Sequence, residues 1–377
     1  MAGVIEKRRE LLELMRECTL KKGYFSVHDI EEKTQIPRST IQDWITRLID
    51  ENCLVLKEEK RGRSPAKYVT KSTMLQTACK RIFTTVDDDT VAIFHECRSY
   101  GCAAFCNHHH LLAGGGIFKA RREGNLLVEY ACLNNSDEEK DIKIGLYPSP
   151  AVGVIDVRKK DNFIVQKIRC IGGPAYSLTD MMKMAEGVCN IHITNKGELV
   201  EGEVYTKAMS HVIIGIDDTD TKDGGATFAL ALGLLQYLGK LKGVIPISHR
   251  VVMLNPKLIE CTAGNSCSYI ELAVIPKNVE EIKKIAARFV EDESLSKKWG
   301  IAVKCGFKIS DNLRDYGICI RKSVVDENYA RKIADSENIY VKGSRGIIGA
   351  LAAVSLRGLE NDILLNPECN DIKKISR

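Results

Sequence analysis

At 377 residues the chain can hold two or three domains, each with a core of its own. With 44% apolar and 28% charged residues it falls outside the disordered and fibrous classes, and a net charge of +5 permits nucleic acid as a partner without demanding it. No run approaches eighteen apolar residues and MAGVIEKRRELL is no signal peptide, so no membrane partner and a cytoplasmic location are expected, with the fourteen cysteines as reduced thiols rather than a disulfide scaffold.

In chain order, Ile5, Leu11, Leu12, Leu14, Met15 and Cys18 mark an amphipathic helix. Ser26 followed by Asp29 predicts a capped second helix ending near Gln35. Ile36-Pro37 turns the chain, and Ser39 is expected to cap a third helix with Ile41, Trp44, Ile45, Leu48 and Ile49 on one face. Extended runs at Leu54–Glu58 and Lys67–Thr70 flank the basic stretch Lys60-Arg61-Gly62-Arg63-Ser64-Pro65. Residues 1–73 are therefore expected to form a winged helix-turn-helix. Arg38, Ser39, Thr40 and Gln42 would reach base edges, while Arg61, Arg63 and Lys67 on the wing suit phosphates. Duplex DNA is the expected partner and RNA the alternative. Acidic neighbours dilute the basic field, so a homodimer would strengthen binding.

Residues 74–208 read as an α+β middle domain. Met74–Phe83 has helical spacing, and Asp87-Asp88-Asp89 reads as a solvated turn. In FHECRSYGCAAFCNHHHLLAGGG, the side chains of Cys97, Cys102, Cys106 and His108 lie close enough in sequence to hold Zn²⁺ or an iron–sulfur cluster. The plainer alternative is a helix that buries the thiols. Strands are expected at Leu126–Cys132, Lys143–Leu146, Val152–Val157, Phe163–Cys170 and Cys189–Ile193. A turn at Gly172-Gly173-Pro174 and a helix over Ser177–Ala185 fall between the last two.

Residues 209–377 open with HVIIGIDDTDTKDGGATFALALGLLQYL, an apolar strand, an acidic and glycine-rich loop, and an apolar helix. Asp217, Asp218 and Asp220 repel one another unless a cation sits among them, and hard oxygen ligands on one loop suit Mg²⁺. Gly224 and Gly225 would let backbone amides approach phosphate oxygens. Downstream, Val244–Val252, Ile270–Ile275, Trp299–Val303 and Tyr316–Arg321 read as extended, and Val279–Phe289 and Asn328–Ala334 as helical. A small-residue helix beginning at Gly346 and Gly349 would present its N-terminus to an anion, with Arg345 as a phosphate contact.

GIDDTDTKDGGAT resembles the opening box of the archaeal tRNA-isoleucine agmatidine synthetases and their relatives, which include a methanogenesis-marker family. Leu254-Asn255-Pro256 with Cys261-Thr262-Ala263-Gly264-Asn265, and then GSRGIIGALAA from Gly343, resemble two further boxes in the same order. The resemblance implies a C-terminal α/β kinase-like domain with a ferredoxin-like insertion, behind the winged helix-turn-helix and the α+β middle domain. It implies ATP and Mg²⁺ as cofactors, Asp217, Asp218 and Asp220 as metal and catalytic carboxylates, and Thr227 as a phosphorylated threonine. Asn255, Thr262, Gly264 and Asn265 would line the site.

Two functions follow. The first is a DNA-binding transcription regulator whose C-terminal domain binds Mg-ATP as a sensor. The second is an ATP-dependent enzyme that modifies RNA or tRNA by phosphorylating a carbonyl oxygen. The wing favours the first and the intact acidic box favours the second; regulation is the expectation. A metal or redox sensor built on the Cys97 segment is a third reading.

Overall fold

The computed structural model describes residues 2–60, 62, 64–71, 78–134, 142–171, 182–257 and 264–369. The chain separates into two units, Met1–Lys80 and Arg81–Arg377.

The first unit consists of helices α1 (Ala2–Lys22), α2 (Val27–Thr34) and α3 (Arg38–Asp50), then an antiparallel hairpin of β1 (Leu54–Glu58) and β2 (Lys67–Thr70). Leu11, Met15, Ile30, Ile41, Ile45 and Leu48 form its core with Phe25 and Tyr68. Ser26 caps α2 as its spacing predicts: its hydroxyl accepts the Asp29 amide, and the Asp29 carboxylate accepts the Ser26 amide at 2.8 Å. Ser26→Ala is expected to destabilise this unit by about 1 kcal/mol, read as faster amide exchange at the start of α2. Ser39 caps nothing. α3 starts two residues earlier, with Pro37 in the cap position, because the Pro37 carbonyl already accepts the Thr40 and Ile41 amides, and no side-chain cap forms.

The second unit is built on a large mixed sheet, twelve-stranded among the described residues. Its spine is β10 (Leu199–Asp217), a strand of 19 residues. The first half of β10 pairs antiparallel with β8 (Phe163–Ile171) and β9 (Val188–Lys196). Its second half pairs antiparallel with β12 (Ser266–Val274) and β13 (Gly300–Cys305). Between them, Ala208–Ser210 run parallel to Thr84–Val86 of β3 (Cys79–Asp87). The sheet continues through β4 (Thr90–Cys97), β6 (Leu126–Cys132) and β5 (Ile117–Glu123), while β7 (Val152–Lys160) pairs β8. β11 (Val244–Met253) lies outside β12, and β14 (Tyr340–Gly343) lies beside β13. The boundary expected between residues 208 and 209 thus falls inside one continuous strand.

Alternation along β10 decides how helices cover it. Val212, Ile214 and Ile216 bury against the Thr227–Leu238 helix and the Val279–Glu293 helix. Ile213, on the other face, packs with the Asp311–Ile320, Glu327–Ser336 and Ile347–Ser355 helices. Gly215 shares that face because the backbone of Ala350 leaves no room for a Cβ there.

Several local expectations fail for identifiable reasons. Tyr316–Arg321 is not extended. Ser310 caps a helix over Asp311–Ile320, and Leu313, Tyr316, Gly317 and Ile320 recur at helical spacing on its buried side. The Met74–Phe83 helix falls partly outside the described residues, and from Cys79 onward the chain is β3, whose Thr84 hydroxyl meets that of Thr206 at 2.9 Å. Lys143–Leu146 forms no strand. Asp87 is no solvated turn residue, since its carboxylate accepts the Phe307 and Lys308 amides, both at 2.6 Å. The Gly172-Gly173-Pro174 turn and residues 177–181 of the expected helix lie outside the described residues.

A buried ionic group ties the sheet to the last helices. The Glu271 carboxylate on β12 accepts from His211 Nε2 at 2.9 Å, Arg357 Nε at 2.7 Å and the Ser248 hydroxyl at 2.6 Å. Thr85 Oγ1 lies 3.1 Å from His211 Nδ1, which accepts its proton in the tautomer that donates to Glu271. Burial alone would raise the Glu271 carboxyl, but the Arg357 charge and the His211 hydrogen bond outweigh it and hold the group well below the usual carboxylate range. Burial pushes the His211 imidazole down, so it stays neutral.

Candidate functional site

The strand β10 delivers Asp217 at its last position, and the chain then turns through Asp218 and Asp220. Asp218 has φ of 58°, a left-handed conformation that an aspartate tolerates better than most residues. Thr219 is the hub of the loop. Its amide and hydroxyl both donate to Thr227 Oγ1, at 3.3 and 3.0 Å, and the Thr227 hydroxyl donates to Asp220 Oδ1 at 2.9 Å. The Thr219 carbonyl accepts the Leu295 and Ser296 amides and the Ser294 hydroxyl, which fastens the segment 294–298 alongside.

Asp217, Asp218 and Asp220 border one cavity of about 520 Å³. The same cavity is lined by the cations Lys222, Lys297, Lys298 and Arg345 and by the apolar Leu254, Ile320, Val324, Val325 and Ile348. Burial, reinforced by the charges of Asp218 and Asp220, pushes the Asp217 carboxyl well above the ordinary carboxylate range. Burial also raises Asp218, against the pull of Arg345 and Lys298. A divalent cation would relieve this crowding, and the oxygen donors are of the kind Mg²⁺ takes. Among the described residues no group of three or more His, Cys, Asp or Glu side chains could hold a metal as arranged. The three-aspartate cage expected from sequence is therefore not formed. The arrangement suits Mg²⁺ held by one or two carboxylates, with phosphate oxygens completing its shell.

The other expected site residues divide. Gly264, Asn265, Arg345 and Gly349 border the cavity with the aspartates. Gly224, Gly225, Thr227, Asn255 and Gly346 do not. Gly224 closes a tight turn by exchanging hydrogen bonds with Thr221, and Gly225 has φ of 85°. Asn255 receives the Asn265 side-chain amide on its carbonyl at 3.0 Å, which sets the wall from behind. Thr262 lies outside the described residues. The amides at the start of the Ile347–Ser355 helix are already taken: Gly346 donates to Lys298, Ile347 to Ser344 and Ile348 to Arg345. Lys297 and Lys298 are the residues that sequence reading missed. Their only signal is a Ser-Leu-Ser-Lys-Lys tract after a helix, which by itself reads as a solvated turn.

Gly349 fits here only because it has no side chain, since an added Cβ would overlap the Asp217 carboxylate. Gly349→Ala is expected to displace Asp217 and destabilise the fold by about 1–3 kcal/mol. Urea denaturation and nucleotide binding on the same protein check both effects.

Elsewhere, the expected Cys97, Cys102, Cys106 and His108 metal set is not formed. His108 is exposed on the Tyr100–Ala113 helix, while Cys97 and Cys106 are buried. In the first unit, Arg38, Ser39, Thr40 and Gln42 are all exposed at the start of α3. Lys67 is engaged locally, donating to Glu58 at 2.7 Å and lying over the Tyr24 ring, and Arg61 and Arg63 fall outside the described residues. No described helix is long and apolar enough to cross a membrane.

Compared with known proteins, the chain is 31% identical over 264 residues to the uncharacterized protein MJ0921 of Methanocaldococcus jannaschii, covering 68% of this chain and 85% of that one. It belongs to the MJ0921 family. Within this MJ0921-family chain, residues 213–343 match the TiaS TCKD domain. The tRNA 2-agmatinylcytidine synthetase TiaS of Methanocorpusculum labreanum is 31% identical over 157 residues, 40% of this chain and 36% of that one. The corresponding enzyme of Saccharolobus islandicus is 30% identical over 159 residues, 39% and 35% of the two chains. The chain thus spans about a third of the length of these synthetases. The crystal structure of apo TiaS aligns with a TM-score of 0.34 at 24% identity, over 38% of this chain and 36% of that one.

Proposed function

We propose that the Arg81–Arg377 unit is an ATP-using enzyme that phosphorylates an oxygen of an RNA substrate. The observation that carries this reading is the meeting of three aspartates with four cations around one cavity. A nucleotide triphosphate needs both, because its charge must be neutralised by metal and by fixed cations as the phosphoryl group moves. The match to the TiaS TCKD domain and the TiaS relatives supports RNA modification over a DNA-binding regulator.

In this reading Asp217 and Asp218 hold Mg²⁺, which when bound neutralises charge on the transferred group. Lys298 and Arg345 orient the phosphates, and the apolar wall from Leu254 to Ile348 excludes water on the other side. Thr227 donates its hydroxyl to Asp220, which positions that carboxylate and would let it take the hydroxyl proton were Thr227 to accept phosphate. The Met1–Lys80 unit, read as a winged helix, would bring nucleic acid to the enzyme.

The test is ATP hydrolysis by the full chain with and without total tRNA. Turnover that rises with tRNA and disappears in Lys298→Ala supports the proposal. The exposed Arg38, Ser39, Thr40 and Gln42 face keeps a duplex-DNA regulator as the second reading. Tight nucleotide binding without turnover, together with salt-sensitive duplex binding lost in Arg38→Ala plus Gln42→Ala, would favour that reading instead.

A further inference from the structure

One edge of the large sheet is β5. Among the described residues it pairs only with β6, so the backbone groups on its other side meet no strand. Its sequence, IFKARRE, sets three cations within four residues against one carboxylate, Glu123. That carboxylate is already engaged: it accepts from Arg250 of β11, and Arg121 Nη1 lies 3.6 Å from it. Lys119 is exposed and engages no carboxylate among the described residues, and the same holds for Arg98, just before the Tyr100–Ala113 helix. Positive charge is thus left over along this edge.

Two aromatic rings stand out from it. Phe118 is 58% exposed and Tyr100 is 59% exposed, although such rings carry a large apolar area that folding usually covers. Both are held in place. The Phe118 ring lies 6.4 Å from that of Tyr130 on β6. The Arg122 guanidinium lies 3.9 Å from the Tyr100 ring centre and donates to the Tyr100 hydroxyl at 2.6 Å and to the Gly124 carbonyl at 3.2 Å. One ring therefore sits at the start of β5 and the other against Arg122 near its end, separated by about 13 Å of strand.

We propose that the β5 edge binds single-stranded RNA, with bases stacked on Phe118 and Tyr100 and phosphates paired with Lys119 and Arg98. Rings that face solvent need unstacked bases, which a duplex does not offer. An apolar protein partner would cover the rings but leave the cations without counter-charge, whereas phosphates supply it. The choice of RNA rests on the RNA-modifying reading of the cavity. Between the two places the fold makes a short connection. Glu123, the last residue of β5, meets Arg250, which also donates to the Asn361 side chain at 3.0 Å. Leu254, which borders the cavity, follows four residues after Arg250, about 13 Å of extended chain.

The experiment uses the full-length chain and a fluorescein-labelled oligouridylate, followed by anisotropy over a range of salt. Phe118→Ala and Tyr100→Ala are each expected to weaken binding about tenfold, while Phe118→Trp keeps it. Lys119→Gln is expected to flatten the log–log salt slope by about 0.7, one phosphate contact on a single strand. ATP hydrolysis without RNA is unchanged in all of them, because none of these residues borders the cavity. Unchanged affinity in both alanine variants overturns the assignment. So does an oligothymidylate of the same length bound more tightly than the RNA. A dimer that becomes a monomer in these variants with RNA affinity kept also overturns it, and makes the edge a contact between copies. The two readings fail separately. Turnover that rises with tRNA while binding is unchanged in the variants keeps the enzyme and removes this surface; binding lost in the variants of a chain without turnover keeps the surface and removes the enzyme.

Discussion

Replacing Asp217 by asparagine is expected to lower ATP turnover by about 100- to 1000-fold and, with divalent ions chelated, to raise stability at pH 7. The two effects have one cause. Asp217 is half-buried at the end of β10 and crowded by Asp218 and Asp220, so its carboxyl is pushed well above its usual range. A group raised in this way contributes stability below its unfolded value of about 3.9 and loses it as pH rises through the folded value. At pH 7 the metal-free protein therefore carries a penalty that an amide of the same shape does not. Turnover and urea denaturation in chelator measure the pair. Wild-type turnover in Asp217→Asn would remove Asp217 from the reaction centre, and lower stability in chelator would contradict the crowding.

Arg357→Met is expected to destabilise the second unit by about 3–5 kcal/mol, because it strands the buried Glu271 carboxylate without its cation. Adding Glu271→Gln should recover much of that loss, and a double-mutant cycle by urea denaturation reads the difference. The same group sets an acid limit. Glu271 is held low, so its contribution is present above about 4.3 and lost as pH falls through its folded value. His211 is also held low, so an unfolded imidazole takes up a proton first. Stability should therefore begin to fall below about pH 6.5, and in His211→Gln the decline should be shallower, the remainder coming from His95, His109 and His249, which burial also holds low.

What could be read from sequence depended on whether the signal was local. The Ser26–Asp29 capping box and the β1 and β2 runs lie within a few residues of their partners, and their positions were legible. So was the order strand, acidic loop, helix around Asp217. Tyr316–Arg321 misled because a short apolar run looks extended until Ser310 and Leu313 are counted with it. Nothing local showed that Lys298 would stand opposite Asp218, since that depends on Thr219 fastening a segment about seventy-five residues further on. The acidic box gave the anionic half of the candidate site; the cationic half is a product of tertiary folding.

The unbroken course of β10 from Leu199 to Asp217 has a practical corollary for anyone dissecting the protein. A fragment cut to begin at residue 209 would keep the aspartates but lose β3, β8 and β9 with the first half of β10, and with β3 the Asp87 carboxylate that holds the Phe307 and Lys308 amides. The smallest piece that can be expected to keep its shape starts near residue 81.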